Sequence, residues 1–301
     1  MSELVELLGA EPVEEAAGPQ GASGGKLRYF SAGSQRAVAK HATPLERRVI
    51  ELLQSQGAAV PETRIPDATS PGRSWIYQRF AQDRPADRHQ SDVSSPLTVS
   101  IAAGLAHLHA ANLGRCPDWL PRVEANPRQE LYLDAWSREW AKNMANDEDF
   151  AATYGHHTDA LHSSQSHLLG VIDDLCAEGS LCTLINSDLT PAHIRVGPDG
   201  GAVFIDWEQA CYGPLFIDLV NYFTAETGGV YRQALAELGV QVEEQRFAEL
   251  FSECGRWMGL RYLEVGLWAW QLPRDDPSME QKRKDLHHFF SFCLGLALKG
   301  R

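Results

Sequence analysis

Residues 184–207 read LINSDLTPAHIRVGPDGGAVFIDW and place two short runs of β-branched and aromatic residues on either side of Pro-Asp-Gly-Gly. This pattern predicts a β-hairpin with strands at 194–196 and 203–205, because Pro-Asp-Gly-Gly is a turn-forming sequence. Asp188 precedes the first strand and Asp206 ends the second. Since a hairpin brings its two ends together, we expect these two carboxylates to be neighbours in space.

Three polar side chains of this stretch have the chemistry of a phosphoryl-transfer site. Asp188 is expected to orient and deprotonate an attacking hydroxyl, while His193, which opens the first strand, and Asp206 are expected to hold Mg²⁺ against the phosphates of ATP. Separate groups are needed because one carboxylate cannot bind the metal tightly and also remain a free base. The alternative is a surface hairpin whose carboxylates only cap turns, but the ordered set and its spacing favour a site.

The same stretch resembles the catalytic and metal-binding loops of the aminoglycoside phosphotransferase and choline kinase family, small-molecule kinases with a protein-kinase-like fold. The family pattern is His-Gly-Asp-x-x-x-x-Asn, a hairpin, and then Ile-Asp followed by Trp or Phe. Two positions depart from it, since Asn186 stands where His is usual and His193 stands where Asn is usual. Mg²⁺ prefers oxygen ligands and imidazole suits Mn²⁺ better, so we expect His193 to weaken the Mg²⁺ site or to act through a bound water.

The resemblance implies further site residues in the N-terminal part of the chain. Lys40 ends Ala-Val-Ala-Lys, which is similar to the third strand of kinases, and is expected to contact the nucleotide phosphates. The family assigns Glu46 to an ion pair with Lys40, whereas a capping box with Thr43 explains the same residue without any nucleotide. The glycine-rich segment 18–25, which contains Ser23, is either a phosphate-binding turn or a flexible hairpin loop.

The resemblance also predicts an α+β, bilobal, protein-kinase-like fold. Residues 1–80 are expected to form a small antiparallel, nucleotide-binding lobe with a β-rich start and one helix. Residues 81–301 are expected to form a larger, mainly helical lobe that contains the catalytic hairpin and the acceptor site. The boundary follows a predicted strand at 74–80, and the backbone near Gln78 and Phe80 is expected to hydrogen-bond the adenine.

Composition narrows the class of protein. No run of 18 apolar residues is present, so no membrane span is expected, and the acidic N-terminus does not resemble a signal peptide. The six cysteines are scattered without a Cys-x-x-Cys pair, which indicates free thiols in a cytoplasmic protein rather than a zinc or disulfide framework. The net charge of −13 argues against nucleic acid as a partner and favours a cationic substrate.

These patterns together predict an enzyme that transfers the γ-phosphate of ATP or GTP, with Mg²⁺ or Mn²⁺, to a hydroxyl of a small molecule. An antibiotic such as an aminoglycoside or a nucleoside is one class of acceptor, as in resistance kinases, and the protein is expected to be a monomer or a homodimer. The alternatives are a choline- or sugar-kinase-like metabolic enzyme and an inactive kinase fold used for binding or regulation. A protein kinase ranks lower because Asp-Phe-Gly and Ala-Pro-Glu motifs are missing.

Overall fold

A computed structural model describes residues 2–15, 26–80, 93–197, 200–273 and 276–299 of the chain. Its strands, within these residues, are β1 (Val13–Glu14), β2 (Leu27–Ala32), β3 (Gln35–Ala42), β4 (Thr63–Arg64), β5 (Ser74–Arg79), β6 (Cys182–Ile185), β7 (Ile194–Val196), β8 (Ala202–Phe204) and β9 (Cys211–Pro214). Its α-helices are α1 (Ser2–Leu8), α2 (Pro44–Ser55), α3 (Pro96–Asn112), α4 (Pro127–Glu130), α5 (Ala135–Asn146), α6 (Glu148–Tyr154), α7 (Thr158–Glu178), α8 (Gly228–Glu237), α9 (Glu244–Leu267) and α10 (Glu280–Lys299).

The chain divides into two compact units that each combine separate segments. The first unit comprises Met1–Leu120, Leu184–Ala210 and Tyr222–Gln241. The second comprises Pro121–Thr183, Cys211–Asn221 and Val242–Arg301. The predicted lobe boundary near residue 80 stays a prediction, and residues 81–92, which follow it, lie outside the described residues.

The first unit is built on an antiparallel sheet with the strand order β1-β2-β3-β5-β4. Ala37 and Ala39 on β3 are buried in one apolar cluster with Leu4 and Leu7 of α1. Because side chains alternate along a strand, Lys40 projects from the opposite face of β3. The sheet therefore uses one face for its own core and turns the other toward the polar residues described below.

The expected β-rich start with a single helix in residues 1–80 is wrong for residues 2–8, which form the helix α1 in addition to α2. A seven-residue segment has too few turns to be stable as a helix on its own, so its local sequence signal is weak. Tertiary packing explains the outcome, since Leu4, Leu7 and Leu8 of α1 are all buried against the sheet.

Helix α2 begins where its capping residues predict. Thr43 Oγ1 accepts the Glu46 backbone N–H at 3.0 Å, and Pro44 occupies the first turn, where its missing N–H costs nothing. Arg47 on this helix is fully buried and donates to the carbonyl oxygens of Ala42 and Gly72. These bonds tie the helix to the end of β3 and to the loop before β5.

The predicted hairpin is present as β7 and β8, with Ile194 opposite Phe204. Backbone bonds tie it to the rest of the first unit, since the Phe204 N–H donates to Ala59 O at 2.7 Å and the Ala202 N–H donates to Ser100 Oγ at 2.8 Å. The hairpin is thus held in place by hydrogen bonds from two other segments of the same unit.

The second unit is mainly helical, and two of its long helices, α9 and α10, approach each other closely. A Cβ at Gly259 would lie 2.3 Å from the Ala297 backbone nitrogen, and one at Gly266 would lie 2.5 Å from Phe290 Cα. Only glycine allows this approach, because any side chain would overlap the facing backbone.

Candidate active site

Lys40 joins the first unit's sheet to both of the acidic residues near it. Its Nζ lies 2.7 Å from Glu46 Oε1 on α2 and 2.7 Å from Asp206 Oδ1 after β8. Burial lowers the pKa of Lys40, but the two carboxylates outweigh burial and raise that pKa well above its ordinary value. Lys40 is therefore a permanently charged group that has been brought from β3 to the end of the hairpin.

Glu46 uses its carboxylate for Lys40 rather than for a capping box. Thr43 caps the Glu46 backbone N–H, but Glu46 Oε1 accepts from Lys40 and, at 3.3 Å, from the Trp207 backbone N–H. Glu46 is 99% buried, and Oε2 has no hydrogen-bond partner among the described residues. Burial raises the pKa of Glu46, against the opposing effect of Lys40.

Asp188 lies in a tight loop between β6 and the hairpin. Its backbone carbonyl accepts from the Thr190 N–H at 2.7 Å and from His193 Nδ1 at 2.7 Å. The side chains of Asp188 and His193 are both about one-fifth exposed, with Asp188 Oδ2 and His193 Nδ1 3.9 Å apart. The Asp188 carboxylate therefore lies next to the imidazole and remains in contact with solvent.

His193 and Asp206 form the pair that the sequence assigns to a metal ion. A carbonyl can only accept, so the bond to Asp188 O places the imidazole hydrogen on Nδ1 and leaves the lone pair of a neutral ring on Nε2. Nε2 lies 3.4 Å from Asp206 Oδ2, close to the separation of about 3 Å between adjacent ligands of an octahedral ion. A backbone carbonyl that accepts from the other ring nitrogen is also the usual support of a metal-binding histidine. These two residues therefore fit a divalent cation.

Two residues of the site have left-handed backbone conformations. Ser187 has φ +61° and Asp206 has φ +64°, although neither is glycine. Such a conformation costs roughly 1–2 kcal/mol for an ordinary residue, so each is maintained by surrounding contacts. One of these contacts is the bond from Ser187 Oγ to Gln209 O at 2.7 Å.

Neighbouring positive charges also keep the Asp206 carboxylate ionised. Burial raises the pKa of Asp206, but Lys40 and then His193 lower it, and the net result is a pKa below the ordinary value. Asp206 is therefore ionised at neutral pH, as a metal ligand must be.

Two site residues were missed at the level of sequence. Glu208 lies two residues after Asp206, and Arg73 before β5 donates from both terminal nitrogens to Glu208 Oε2 at 3.3 Å. Oxygen atoms of Glu46, Asp206 and Glu208 lie within 4.8 Å of one another. Nothing local predicts the contact with Arg73, because 135 residues separate it from Glu208.

The predicted adenine-binding segment is present as the end of β5. Gln78 pairs with Val38 and Thr63 in the sheet. The Phe80 N–H donates to Arg36 O at 2.9 Å, so that backbone donor is already used. The roles of Gln78 and Phe80 in adenine binding stay predictions.

The glycine-rich segment 18–25 is predicted to be a phosphate-binding turn or a flexible hairpin loop. Ser23 lies outside the described residues. None of the six cysteines, all of which lie in the described residues, is in a disulfide.

The arrangement combines a partly exposed carboxylate, a cation and two groups suited to a metal ion around one hairpin. No helix in the described parts of the chain is long and apolar enough to cross a membrane. No curated protein matches the chain.

Several solved structures share the fold. They include the macrolide 2′-phosphotransferase MphH of Brachybacterium faecium, with 22% identity, 91% of each chain covered and a TM-score of 0.52. An aminoglycoside phosphotransferase of Alicyclobacillus acidocaldarius has 15% identity over 95% of this chain and 90% of its own, with a TM-score of 0.57. The choline kinase LicA of Streptococcus pneumoniae has 14% identity over 98% and 96%, with a TM-score of 0.55.

These likenesses confirm the predicted α+β, protein-kinase-like fold class. The family model described as "Phosphotransferase enzyme family" matches residues 28–250, which include α2, the hairpin and all of the sheet except β1 and the first residue of β2. The chain belongs to this phosphotransferase family, as the resemblance at residues 184–207 implied.

Proposed function

We propose that this phosphotransferase moves the γ-phosphate of ATP or GTP to a hydroxyl of a small molecule. The observation that carries the proposal is the meeting of Lys40, Asp188, His193 and Asp206 around one hairpin. A positively charged side chain, a solvent-accessible carboxylate and a ligand pair for a divalent cation are the groups that phosphoryl transfer needs.

Each residue has a distinct task in this proposal. Asp188 orients the acceptor hydroxyl and takes its proton as the oxygen attacks. Lys40 neutralises charge on the phosphates, and the buried Glu46 keeps Lys40 in place. Asp206 and His193 would hold Mg²⁺ or Mn²⁺, which when bound screens the charge of the β- and γ-phosphates. Positioning and charge supply most of the rate enhancement, because the transition state is loose.

The nucleotide is proposed to bind the N-terminal part of the chain, residues 1–80. The solved structures of the same fold include a spectinomycin phosphotransferase in complex with ADP and an aminoglycoside phosphotransferase in complex with GDP and kanamycin. Both purine nucleotides are therefore candidates for this chain.

The acceptor is proposed to be a hydroxylated, cationic small molecule. The net charge of −13 creates a negative potential that raises the local concentration of cations. Antibiotics, amino alcohols and sugars all carry hydroxyls, and the named acceptors of the relatives span antibiotics and choline.

The test is release of ADP or GDP in the presence of Mg²⁺ or Mn²⁺ and a panel of macrolides, aminoglycosides, spectinomycin, nucleosides, choline and sugars. Phosphorylated product is identified by ³¹P NMR. The variant Asp188→Asn should lose about 10³-fold in kcat, since it removes the proton acceptor but keeps its shape. The matched control is Asp118→Asn, an exposed carboxylate of the same unit.

Two results would overturn the proposal. One is a wild-type protein that is not stabilised by any nucleotide with metal and transfers phosphate to no acceptor. The other is full activity in Asp188→Asn, which would remove the proton acceptor from the mechanism.

A further inference from the structure

Asn186 connects the two loops that bear the site's carboxylates. Its side chain is fully buried. Nδ2 donates to the Asp206 carbonyl oxygen at 2.9 Å and approaches the Ile205 carbonyl oxygen at 3.5 Å, while Oδ1 accepts the Asp188 backbone N–H at 3.1 Å. One carboxamide therefore bonds to the backbone of both Asp188 and Asp206.

We propose that Asn186 is a positioning residue that sets the separation between the proton acceptor and the metal-binding carboxylate. The proposal rests on the proposed function for its catalytic part. In this proposal Asn186 acts through the backbone of Asp188 and Asp206.

A carboxamide suits this position because it offers N–H donors on one side and a carbonyl acceptor on the other. An alanine would leave the Asp206 carbonyl and the Asp188 N–H without this partner inside a buried space. An aspartate would keep an acceptor for Asp188 but would place a carboxylate oxygen against the Asp206 carbonyl. Alanine therefore removes both hydrogen bonds, whereas aspartate removes only the bond to the Asp206 carbonyl.

The two backbone segments that Asn186 joins need its hydrogen bonds to keep their conformation. Ser187 and Asp206 both have left-handed φ angles, so relaxation of either residue is favourable once its contacts are lost. Ser187 separates Asn186 from Asp188, and Asp206 bears the carbonyl that accepts from Asn186. Loss of the amide is expected to shift the two carboxylates relative to each other.

The experiment compares Asn186→Ala and Asn186→Asp with the control Asn112→Ala. Asn112 is 98% buried in the same unit, and its amide donates to Leu108 O and to Gln56 Oε1 at 2.9 Å, so it is a matched loss of a buried carboxamide away from the carboxylates. Three quantities are measured for each protein. They are kcat and KM for nucleotide and acceptor, the affinity for Mn²⁺ with nucleotide by electron paramagnetic resonance, and hydrogen exchange of peptides that cover 186–190 and 205–209.

Asn186→Ala is expected to lower kcat about 10- to 100-fold with nucleotide KM within about 3-fold, because a displacement of the order of 1 Å costs about this much. Exchange should accelerate about 10-fold or more in both peptides, which report local opening. In Asn186→Asp the peptide 186–190 should keep more protection than 205–209. Asn112→Ala should leave kcat, Mn²⁺ affinity and both peptides unchanged.

Unchanged exchange in both peptides of Asn186→Ala would overturn the proposal. So would faster exchange without any loss of kcat or of Mn²⁺ affinity, because the amide would then stabilise the loops without positioning them for the reaction. Equal losses in Asn112→Ala would also overturn it. A wild-type protein without transfer activity refutes the proposed function instead, and exchange then decides whether Asn186 joins the two loops.

Discussion

Replacing Lys40 by methionine should destabilise the first unit in a strongly pH-dependent way. Methionine keeps much of the apolar stem but removes the ammonium that lies 2.7 Å from both Glu46 Oε1 and Asp206 Oδ1. Asp206 is one-third exposed and can be hydrated, whereas Glu46 is 99% buried and cannot. The cost is therefore set by what happens to the Glu46 carboxylate.

The magnitude follows from two competing routes. A buried charge that loses its partner costs about 3–5 kcal/mol. The carboxylate can instead take up a proton, which costs about 1.4 kcal/mol for each pH unit above the unfolded-state pKa of about 4.3. At pH 8 protonation would cost about 5 kcal/mol, so the variant should lose about 3–5 kcal/mol. At pH 5.5 protonation costs only about 1.6 kcal/mol, and the loss should be no larger than that.

The sign of the pH dependence follows from the direction of the pKa shift. Burial raises the pKa of Glu46 even with Lys40 present, and removal of Lys40 raises that pKa further. The folded variant then binds more protons than the unfolded chain above pH 4.3 or so, and its free energy of unfolding falls as pH rises through the folded-state pKa.

The assay is urea-induced unfolding at pH 5.5 and pH 8, followed by tryptophan fluorescence and by hydrogen exchange of the first unit. The double variant Lys40→Met with Glu46→Gln removes both charges, so it should recover most of the loss at pH 8 and show little pH dependence. Lys26→Met, at an exposed lysine of the same unit, should change stability by about 0.5 kcal/mol or less. An equal loss at both pH values, or a double variant as unstable as Lys40→Met at pH 8, would show that the buried Glu46 carboxylate does not set the cost.

Three further predictions concern the metal preference of His193, the packing of α9 against α10, and two neighbouring cysteines. In His193→Asn the ratio of activity with Mg²⁺ to activity with Mn²⁺ should rise about 10-fold, because an oxygen ligand replaces a nitrogen ligand. An unchanged ratio would remove His193 from the metal site. Gly259→Ala should lower the free energy of unfolding of the second unit by about 3 kcal/mol, because its Cβ would overlap the backbone of α10. In the control Gly295→Ala the Cβ would meet no atom within 4 Å, so this variant should be as stable as the wild type in thermal unfolding. Hydrogen peroxide should oxidise Cys176 and Cys182 to a disulfide, with the peroxide reduced to two waters, because their sulfurs lie 3.8 Å apart. Peptide mapping without reductant tests this, and two unlinked thiols after peroxide treatment would contradict it.

Local sequence was sufficient for the parts of the fold that local chemistry dictates. The hairpin of β7 and β8 follows from a turn sequence between two β-branched runs, and the start of α2 follows from Thr43 and Pro44. Helix α5 begins at Ala135, shortly after Tyr132 adopts a left-handed φ of +54°. A tyrosine in this conformation carries no local signal, so sequence alone could not place that start.

The order of Lys40, Asp188, His193 and Asp206 along the chain was determined by the sequence, and so was the kind of chemistry that these residue types allow. Whether Glu46 caps a helix or pairs with Lys40 was decided only in three dimensions, because both uses satisfy the same local pattern and the burial of Glu46 beside Lys40 depends on packing. The role of Asn186 was equally hidden. Its partners at Asp188 and Asp206 are 2 and 20 residues away, and a hydrogen bond across the longer separation exists only after the hairpin has folded back.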